Sequence, residues 1–199
     1  MHLLLLADRE EPYLWDYYQP GRLKDYDLIL SAGDLNYNYL EFIVTMANAP
    51  LLYVHGNHDT GYVSRPPEGC DCVDGTVTVC KGLRILGLGG CMRYNDKPFQ
   101  YTEKEMARRL RPLRRRIKTL GGVDLILAHA PPLGLGDGED LCHRGFACFL
   151  ELIDEYRPKY FIHGHQHLNY RSASCRILQR GETTVINACG RYDLRIDEC

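Results

Sequence analysis

The sequence lacks the features that mark a membrane-bound, secreted or nucleic-acid-coating chain. None of its apolar runs approaches the roughly 18 residues needed to cross a bilayer. The N-terminal run Leu3–Ala7 follows no basic segment and meets Asp8 at once, which predicts a buried strand rather than a signal peptide. The formal charge is only -2, so no global field attracts nucleic acid. We therefore expect a cytoplasmic protein that has neither a membrane nor nucleic acid as its partner.

A cysteine framework is also lacking. The chain has nine cysteines without one C-x-x-C pair, and the only close pair is Cys70-x-Cys72. Scattered cysteines in odd number are typical of reduced thiols in the cytosol and argue against a structural zinc site. No linker-like segment divides the 199 residues, which suffice to bury roughly 70% of the surface of the unfolded chain. We predict a single domain over residues 1–199.

Short apolar segments alternate with segments of helical spacing. This alternation predicts an α/β fold, and the consecutive strands expected from Ile177 to Ile196 make its sheet mixed. Pro112 is expected to split the second helix. The predicted helices are Tyr39–Asn48, Glu103–Leu120 and Phe146–Tyr156. The predicted strands are Leu3–Ala7, Leu28–Ser31, Leu51–Val54, Thr76–Cys80, Ile85–Leu88, Leu125–Ala128, Tyr160–His163 and Thr184–Asn187.

Polar residues recur where the predicted strands end. Ligands of open α/β sheets gather beyond the carboxyl ends of strands, so these segments are expected to face one crevice. Asp, Asn and His side chains suit hard or borderline divalent ions. Gly33, Gly56 and Gly164 stand beside them, where a positive φ or a close backbone approach is needed. The segments are Asp8-Arg9-Glu10, Gly33-Asp34, Gly56-Asn57-His58-Asp59, His129 and Gly164-His165-Gln166-His167.

This ordered set resembles the motifs of the calcineurin-like metallophosphoesterase superfamily. The likeness runs from residue 8 to residue 167, and the stretches HAPPLG and GHQHLNY are similar to those of the small class III phosphodiesterase group, which includes the metallophosphoesterase-domain proteins. The resemblance implies two mixed β-sheets packed as a sandwich and flanked by helices. It also implies a hydrolase that cleaves phosphodiester bonds, or phosphomonoester bonds, in a small phosphate-ester substrate.

The resemblance further implies a binuclear metal centre. Two divalent ions, with manganese expected and iron, zinc or magnesium as alternatives, would share a hydroxide that attacks phosphorus in line. Asp34 would bridge the two ions. The first ion would also be held by Asp8 and His167, and the second by Asn57, His129 and His165. In the family, the histidine at the position of His58 helps the leaving oxygen depart, and the aspartate at the position of Asp59 orients it.

The sequence departs from the family pattern at position 10, where Glu10 replaces the usual histidine of the first motif. Three interpretations follow. Glu10 ligates the first metal as an oxygen donor, or it points away and leaves that site weak, or the chain has lost catalysis and serves as a binding module like the retromer scaffold subunit. Every other motif residue is retained, which argues against the third. We include Glu10 among the metal ligands.

The sequence allows more than one role for several other residues. His163 is either a supporting residue of the site or a buried strand histidine. His55 is expected to be structural. The acidic loop 136–140, with His143 behind it, either overhangs the cleft or is a solvated turn. Arg108–Lys118 holds seven basic residues among eleven, and we interpret it as a solvated helix face. A nuclease is a further alternative, and only this segment could supply the basic groove that a nuclease needs.

Overall fold

The computed structural model describes residues 1–168 and 176–196. In that part of the chain the helices are α1 (Tyr37–Ala47), α2 (Glu103–Thr119) and α3 (Ala147–Tyr156), with a 3₁₀ helix at Asp59–Val63. The strands are β1 (His2–Ala7), β2 (Leu28–Ser31), β3 (Leu51–Tyr53), β4 (Asp71–Cys72), β5 (Val77–Cys80), β6 (Leu83–Leu88), β7 (Cys91–Met92), β8 (Gln100–Tyr101), β9 (Leu125–Ala128), β10 (Tyr160–His163), β11 (Ile177–Arg180), β12 (Thr183–Asn187) and β13 (Gly190–Arg195).

Two large mixed sheets carry the fold. The first has the strand order β13-β1-β2-β3-β4, in which only β13 runs antiparallel to its neighbour. The second has the order β11-β12-β10-β9-β6-β5, with a parallel centre and antiparallel edges. Strands β7 and β8 form a small parallel pair. The predicted α/β architecture of two mixed sheets with flanking helices is therefore confirmed.

The leucine run of β1 is continuous because both faces of its sheet are covered. Neighbouring residues of a strand point to opposite faces. Leu3 and Leu5 pack between the two sheets with residues such as Leu127 of β9, whereas Leu4 and Leu6 pack under α1. All of these leucines are fully buried. Helices α2 and α3 cover the outer face of the second sheet, which gives four layers in the order helix, sheet, sheet, helix.

Helix α2 is unbroken, so the prediction that Pro112 splits it is wrong. Proline has no amide hydrogen, and the carbonyl of Arg108 therefore lacks its usual partner one turn further along the helix. Both residues are exposed, so the missing hydrogen bond lies on the solvent side of the helix. A capping box between Thr102 and Glu105 starts the helix. One apolar stripe holds it against the core through Met106, Leu110, Leu113 and Ile117.

The helices and longer strands lie within two residues of their predicted bounds, and the consecutive strands after Ile177 are β11, β12 and β13. The two-residue strands β4, β7 and β8 were not predicted, because two residues are too few for a pattern. Within residues 1–168 and 176–196, no helix is long and apolar enough to cross a membrane. The loops that follow β1, β2, β3, β9 and β10 meet at one edge of the sandwich, where the motif residues stand.

Candidate metal centre

Hydrogen bonds between loops draw the strand ends of the two sheets together. The amide of Asp8, after β1, donates to the carbonyl of Gly33, after β2, at 3.0 Å. The amide of His165, after β10 in the other sheet, donates to both carboxylate oxygens of Asp8 at 2.8 and 3.0 Å. A Cβ built on Gly164 would lie 2.8 Å from Asp8 Oδ2, so this approach requires a glycine. The motifs of both sheets therefore share one crevice.

Three of the predicted ligands have backbone in the left-handed region. The φ angles of Asp8, Asp34 and His165 are 62°, 59° and 66°. A positive φ is uncommon for residues other than glycine and costs about 1–3 kcal/mol at a strained position, although Asp and His adopt it more often than most. Each turn aims the side chain of its residue back into the crevice, and strain of this kind is concentrated at functional sites.

Three side chains converge on the Nε2 atom of His129. Asn57 Oδ1 lies 3.0 Å from it, His165 Nδ1 lies 3.1 Å from it, and Asp34 Oδ2 lies 3.4 Å from it. His129, Asn57 and His165 are each at most 4% exposed. The structure thus brings together Asp34 and the three residues predicted to complete the second metal site.

Each of the two imidazoles presents a lone pair to this cluster. His129 Nδ1 lies 2.7 Å from the carbonyl of Ala32, and His165 Nε2 lies 2.7 Å from the carbonyl of Cys142. A carbonyl only accepts, so these nitrogens carry the protons of the neutral rings. Fixing one ring N–H on a carbonyl is the arrangement that metal-binding histidines adopt. The nitrogens that face the cluster are therefore free to ligate.

The cluster has a chemical need for a cation. Four acceptor atoms that point at one another repel unless a proton or a metal ion stands between them. Burial lowers the pKa of His129, but the carboxylates of Asp34 and Asp8 outweigh it and the pKa is raised. Burial and the neighbouring His129 lower the pKa of His165 to about 3. A nitrogen- and oxygen-rich set of this kind fits a divalent transition-metal ion.

Asp59 braces the loops behind the cluster. Its Oδ2 accepts hydrogen bonds from the amides of Gly56 at 2.7 Å and Asp34 at 2.9 Å. Burial and the charge of Asp34 raise the pKa of Asp59 to about 6. The amide of His58 donates to Asp34 Oδ1 at 2.8 Å, and the side chain of His58 is exposed at the mouth of the crevice.

The residues predicted for the first metal are less tightly assembled. The carboxylate of Asp8 is partly buried, and burial together with the charge of Asp34 raises its pKa. Glu10 and His167 are exposed. Among the described residues, two groups place ligand atoms within 4.8 Å of one another, and neither contains Asp8, Glu10 or His167. The structure therefore brings the second set together more closely than the first.

The acidic loop lies over the crevice. Asp137 braces it by accepting hydrogen bonds from the amides of Gly134 at 2.8 Å and Gly145 at 3.0 Å. Gln166 of the last motif donates to the carbonyl of His143 at 2.7 Å. Cys142 and His143 thereby reach His165, and the ligand atoms of the three lie within 4.8 Å of one another. Cys142 was not predicted from the sequence, where its only signal is that it directly precedes His143.

The remaining histidines have structural surroundings. His163 is buried, its Nδ1 lies 2.9 Å from the carbonyl of Gly164, and burial lowers its pKa to about 4. His55 stacks on Phe99 with ring centroids 4.2 Å apart and lies 3.4 Å from Asp74, as its predicted structural role requires. The basic stretch of α2 lies on the outer helical layer, and of its cations Arg109 is tied to Asp74 at 2.6 Å.

Comparison with known proteins shows what the chain is similar to. The model of the calcineurin-like phosphoesterase family matches residues 7–169. The solved structure of TT1561 from Thermus thermophilus shares the fold, with 16% sequence identity, a TM-score of 0.61 and coverage of 95% of this chain and 89% of that one. Vps29 from Chaetomium thermophilum has 13% identity and a TM-score of 0.43, with coverage of 95% and 71%. No curated protein matches the chain.

Proposed function

The chain belongs to the calcineurin-like phosphoesterase family, whose members are generally metal-dependent hydrolases, and from this premise we propose that it is a binuclear metal-dependent phosphodiesterase. The observation that carries the proposal is the convergence of Asp34, Asn57 and His165 on His129 Nε2, with both imidazole N–H groups fixed on carbonyls. Histidines with a purely structural role do not require their lone pairs to converge with other acceptor atoms, whereas metal ligands do.

Two divalent ions, with manganese proposed, would be held by the motif residues. Asp34, Asn57, His129 and His165 would hold one, and Asp8, Glu10, His167 and the shared Asp34 the other. Such ions supply positive charge to the phosphate oxygens and activate water for attack on phosphorus. Glu10 adds a negative charge to the first set, which favours manganese or magnesium over zinc.

The residues around the proposed ligands have three further roles in the reaction. His58 stands exposed at the mouth, where its imidazole can give a proton to the leaving oxygen. Asp59 positions His58 through the backbone, because it holds the amides of Gly56 and Asp34 while Asp34 holds the amide of His58. The loop of residues 134–145 roofs the crevice, so we assign to it the choice among small phosphate esters.

Phosphodiesters are the proposed substrates because the HAPPLG and GHQHLNY stretches resemble those of the small class III group. Phosphomonoesters are the alternative. The cytoplasm is the proposed location, since the cysteines of the described residues are free thiols, which persist in a reducing compartment.

A non-catalytic binding module is the second candidate function. It is favoured by one observation, namely that Glu10 and His167 are exposed and outside both groups of converging ligand atoms. If the first site holds no ion, the chain keeps the fold and binds a single metal ion. It then lacks the pair of ions on which the proposed hydrolysis depends.

Metal content and hydrolysis of a chromogenic phosphodiester with manganese distinguish the two functions. The phosphodiesterase should hold more than one equivalent of metal, and His129→Ala should lose activity by a factor of at least about 100, since it removes a ligand. His163→Ala is a matched control, because it removes a buried histidine of the neighbouring strand end without removing a ligand. An inert wild-type chain with one equivalent of metal would support the binding module.

Position 10 provides the second test. If Glu10 faces the first metal, Glu10→His restores the family's histidine and should keep or raise activity while tightening the binding of that ion. Isothermal titration with manganese measures the two affinities. Loss of all metal from Glu10→His would show that residue 10 does not face the site.

A further inference from the structure

A second group of ligand atoms lies beside the phosphoesterase centre. Cys142, His143 and His165 each place one such atom within 4.8 Å of the others. We propose that they form a separate site for a thiophilic divalent cation such as zinc, and that this cation competes with the phosphoesterase centre for His165. The effect on activity rests on the proposed function, whereas the binding itself does not.

The ligand atoms of this group differ in kind from those of the phosphoesterase centre, which is called the main centre below. Cysteine sulfur and imidazole nitrogen are both ligands of zinc, and a zinc site with three protein ligands keeps its fourth position for water. With bonds of about 2.0–2.3 Å, the ligand atoms of such a site lie about 3.3–3.8 Å apart, so a movement of about 1 Å closes the group. Manganese and magnesium prefer the oxygen-containing main set, and zinc or cadmium prefers the sulfur.

His143 is oriented for binding by Asp140. The carboxylate lies 2.8 Å from His143 Nδ1 and accepts the amide hydrogen of the same residue at 2.9 Å. A carboxylate behind an imidazole is the usual support of a zinc-bound histidine, and it leaves Nε2 for the ion. The His143 ring lies beside that of His165, with centroids 5.1 Å apart.

The loop holds Cys142 beside His165. Its own backbone carbonyl accepts the hydrogen of His165 Nε2 at 2.7 Å, which keeps the residue beside that ring until a cation replaces the hydrogen bond. Cys142 is partly exposed, which gives an ion in solvent access to the sulfur. Asp137 and Gln166 anchor the loop on both sides of the pair.

Competition follows from the protons of a single imidazole. A neutral imidazole has one lone pair. When His165 binds a cation through Nε2, its hydrogen bond to the carbonyl of Cys142 breaks and the ring proton moves to Nδ1. The nitrogen that faces His129 then no longer offers a lone pair. At Cys142 the S–H bond breaks, a sulfur–metal bond forms and the proton leaves to solvent. Each cation bound therefore releases one proton and disables one ligand of the main centre.

Cobalt reports the sulfur directly. The full-length chain, stripped of metal with a chelator and titrated with Co²⁺, should develop the near-ultraviolet charge-transfer absorption of a sulfur–cobalt bond. Cys142→Ser and His143→Ala should lose it, and Asp140→Asn should need about 10-fold more cobalt. Cys72→Ser is the matched control, since Cys72 also lies near a histidine, with Sγ 3.9 Å from His55 Nδ1. It should keep the band.

Absence of the band from the wild type, its persistence in Cys142→Ser or its loss from Cys72→Ser alone would overturn the site. Circular dichroism of each variant shows that a lost band is not a lost fold. His129→Ala should keep the band, because His129 is no part of this site.

Inhibition by zinc tests the competition. Manganese-loaded protein is assayed with increasing zinc, and the ratio of activities with and without zinc is compared within each variant. Half-inhibition should need at least about 10-fold more zinc in Cys142→Ser than in the wild type. Equal sensitivity would overturn the competition. A wild type with the cobalt band but no hydrolysis with manganese would refute the proposed function and leave the site standing.

Discussion

Gly56 shows how a missing side chain makes room for the proposed metal centre. A Cβ at this position would lie 1.9 Å from Asp34 Oδ1 and 2.6 Å from the amide nitrogen of Asp34. Asp34 cannot move away, because its carboxylate and amide are both bonded to the motif that follows Gly56. The sequence predicted the importance of this glycine from its place beside polar residues, but only the structure shows that the cause is contact rather than a positive φ.

Gly56→Ala should therefore displace the Asp34 carboxylate. We expect a loss of about 1–3 kcal/mol in the free energy of unfolding, as for overpacking elsewhere, together with loss of bound metal. Gly61→Ala is the control, because nothing lies within 4 Å of a Cβ at Gly61. It should change stability by less than about 0.5 kcal/mol. Urea unfolding and metal analysis measure both effects. Full metal content in Gly56→Ala would show that the loop yields without cost.

Among the elements, α2 shows that packing can outweigh the tendency of a proline to interrupt a helix. Its apolar stripe and its capping box outweigh the proline in the middle, and the helix remains continuous. The strands were predictable because their four- to six-residue apolar runs lie in buried sheets. The turn that brings Cys142 and His143 to His165 was not predictable, since it depends on hydrogen bonds to residues of another motif.

Pro112→Ala should stabilise the protein. The substitution restores an amide hydrogen for the carbonyl of Arg108 and removes the clash of the ring with that carbonyl, a combined effect of about 1–3 kcal/mol in an exposed helix interior. Arg111→Ala, at the exposed neighbouring position, should change the free energy of unfolding by less than about 0.5 kcal/mol. The two are compared by urea unfolding. A destabilised Pro112→Ala would mean that the unbroken helix depends on its proline.

For the whole molecule, Arg84 and Asp124 tie the second sheet to the end of α2. Arg84, on β6, donates to Asp124 through Nε at 2.9 Å and to the carbonyl of Gly121 at 2.6 Å. The hydrogen bond from Arg84 lowers the pKa of Asp124 despite some burial. Motif order predicted the two-sheet architecture of the family, but a junction of this kind depends on residues outside any motif, which no sequence pattern identifies.

The Arg84–Asp124 pair should make stability depend on pH. Because the pKa of Asp124 is lower in the folded than in the unfolded chain, its contribution is complete above the unfolded value of 3.8 and is lost as the pH falls through the folded value. Asp124→Asn should cost about 1 kcal/mol at pH 7, after allowance for a pair that is roughly one-third exposed. Urea unfolding at pH 7 and at pH 3 measures the difference, which should shrink at the lower pH. A cost that does not change with pH would assign the effect to packing.

The ligands of the proposed metal centre come from loops of both sheets, and this has a kinetic consequence. An ion can be bound there only when strands that are far apart in the sequence have already packed together. Metal therefore does not affect the early steps of folding. Its binding energy acts on the finished molecule and on the barrier to its opening. Occupancy should thus lengthen the lifetime of the folded chain and leave the speed of its formation unchanged.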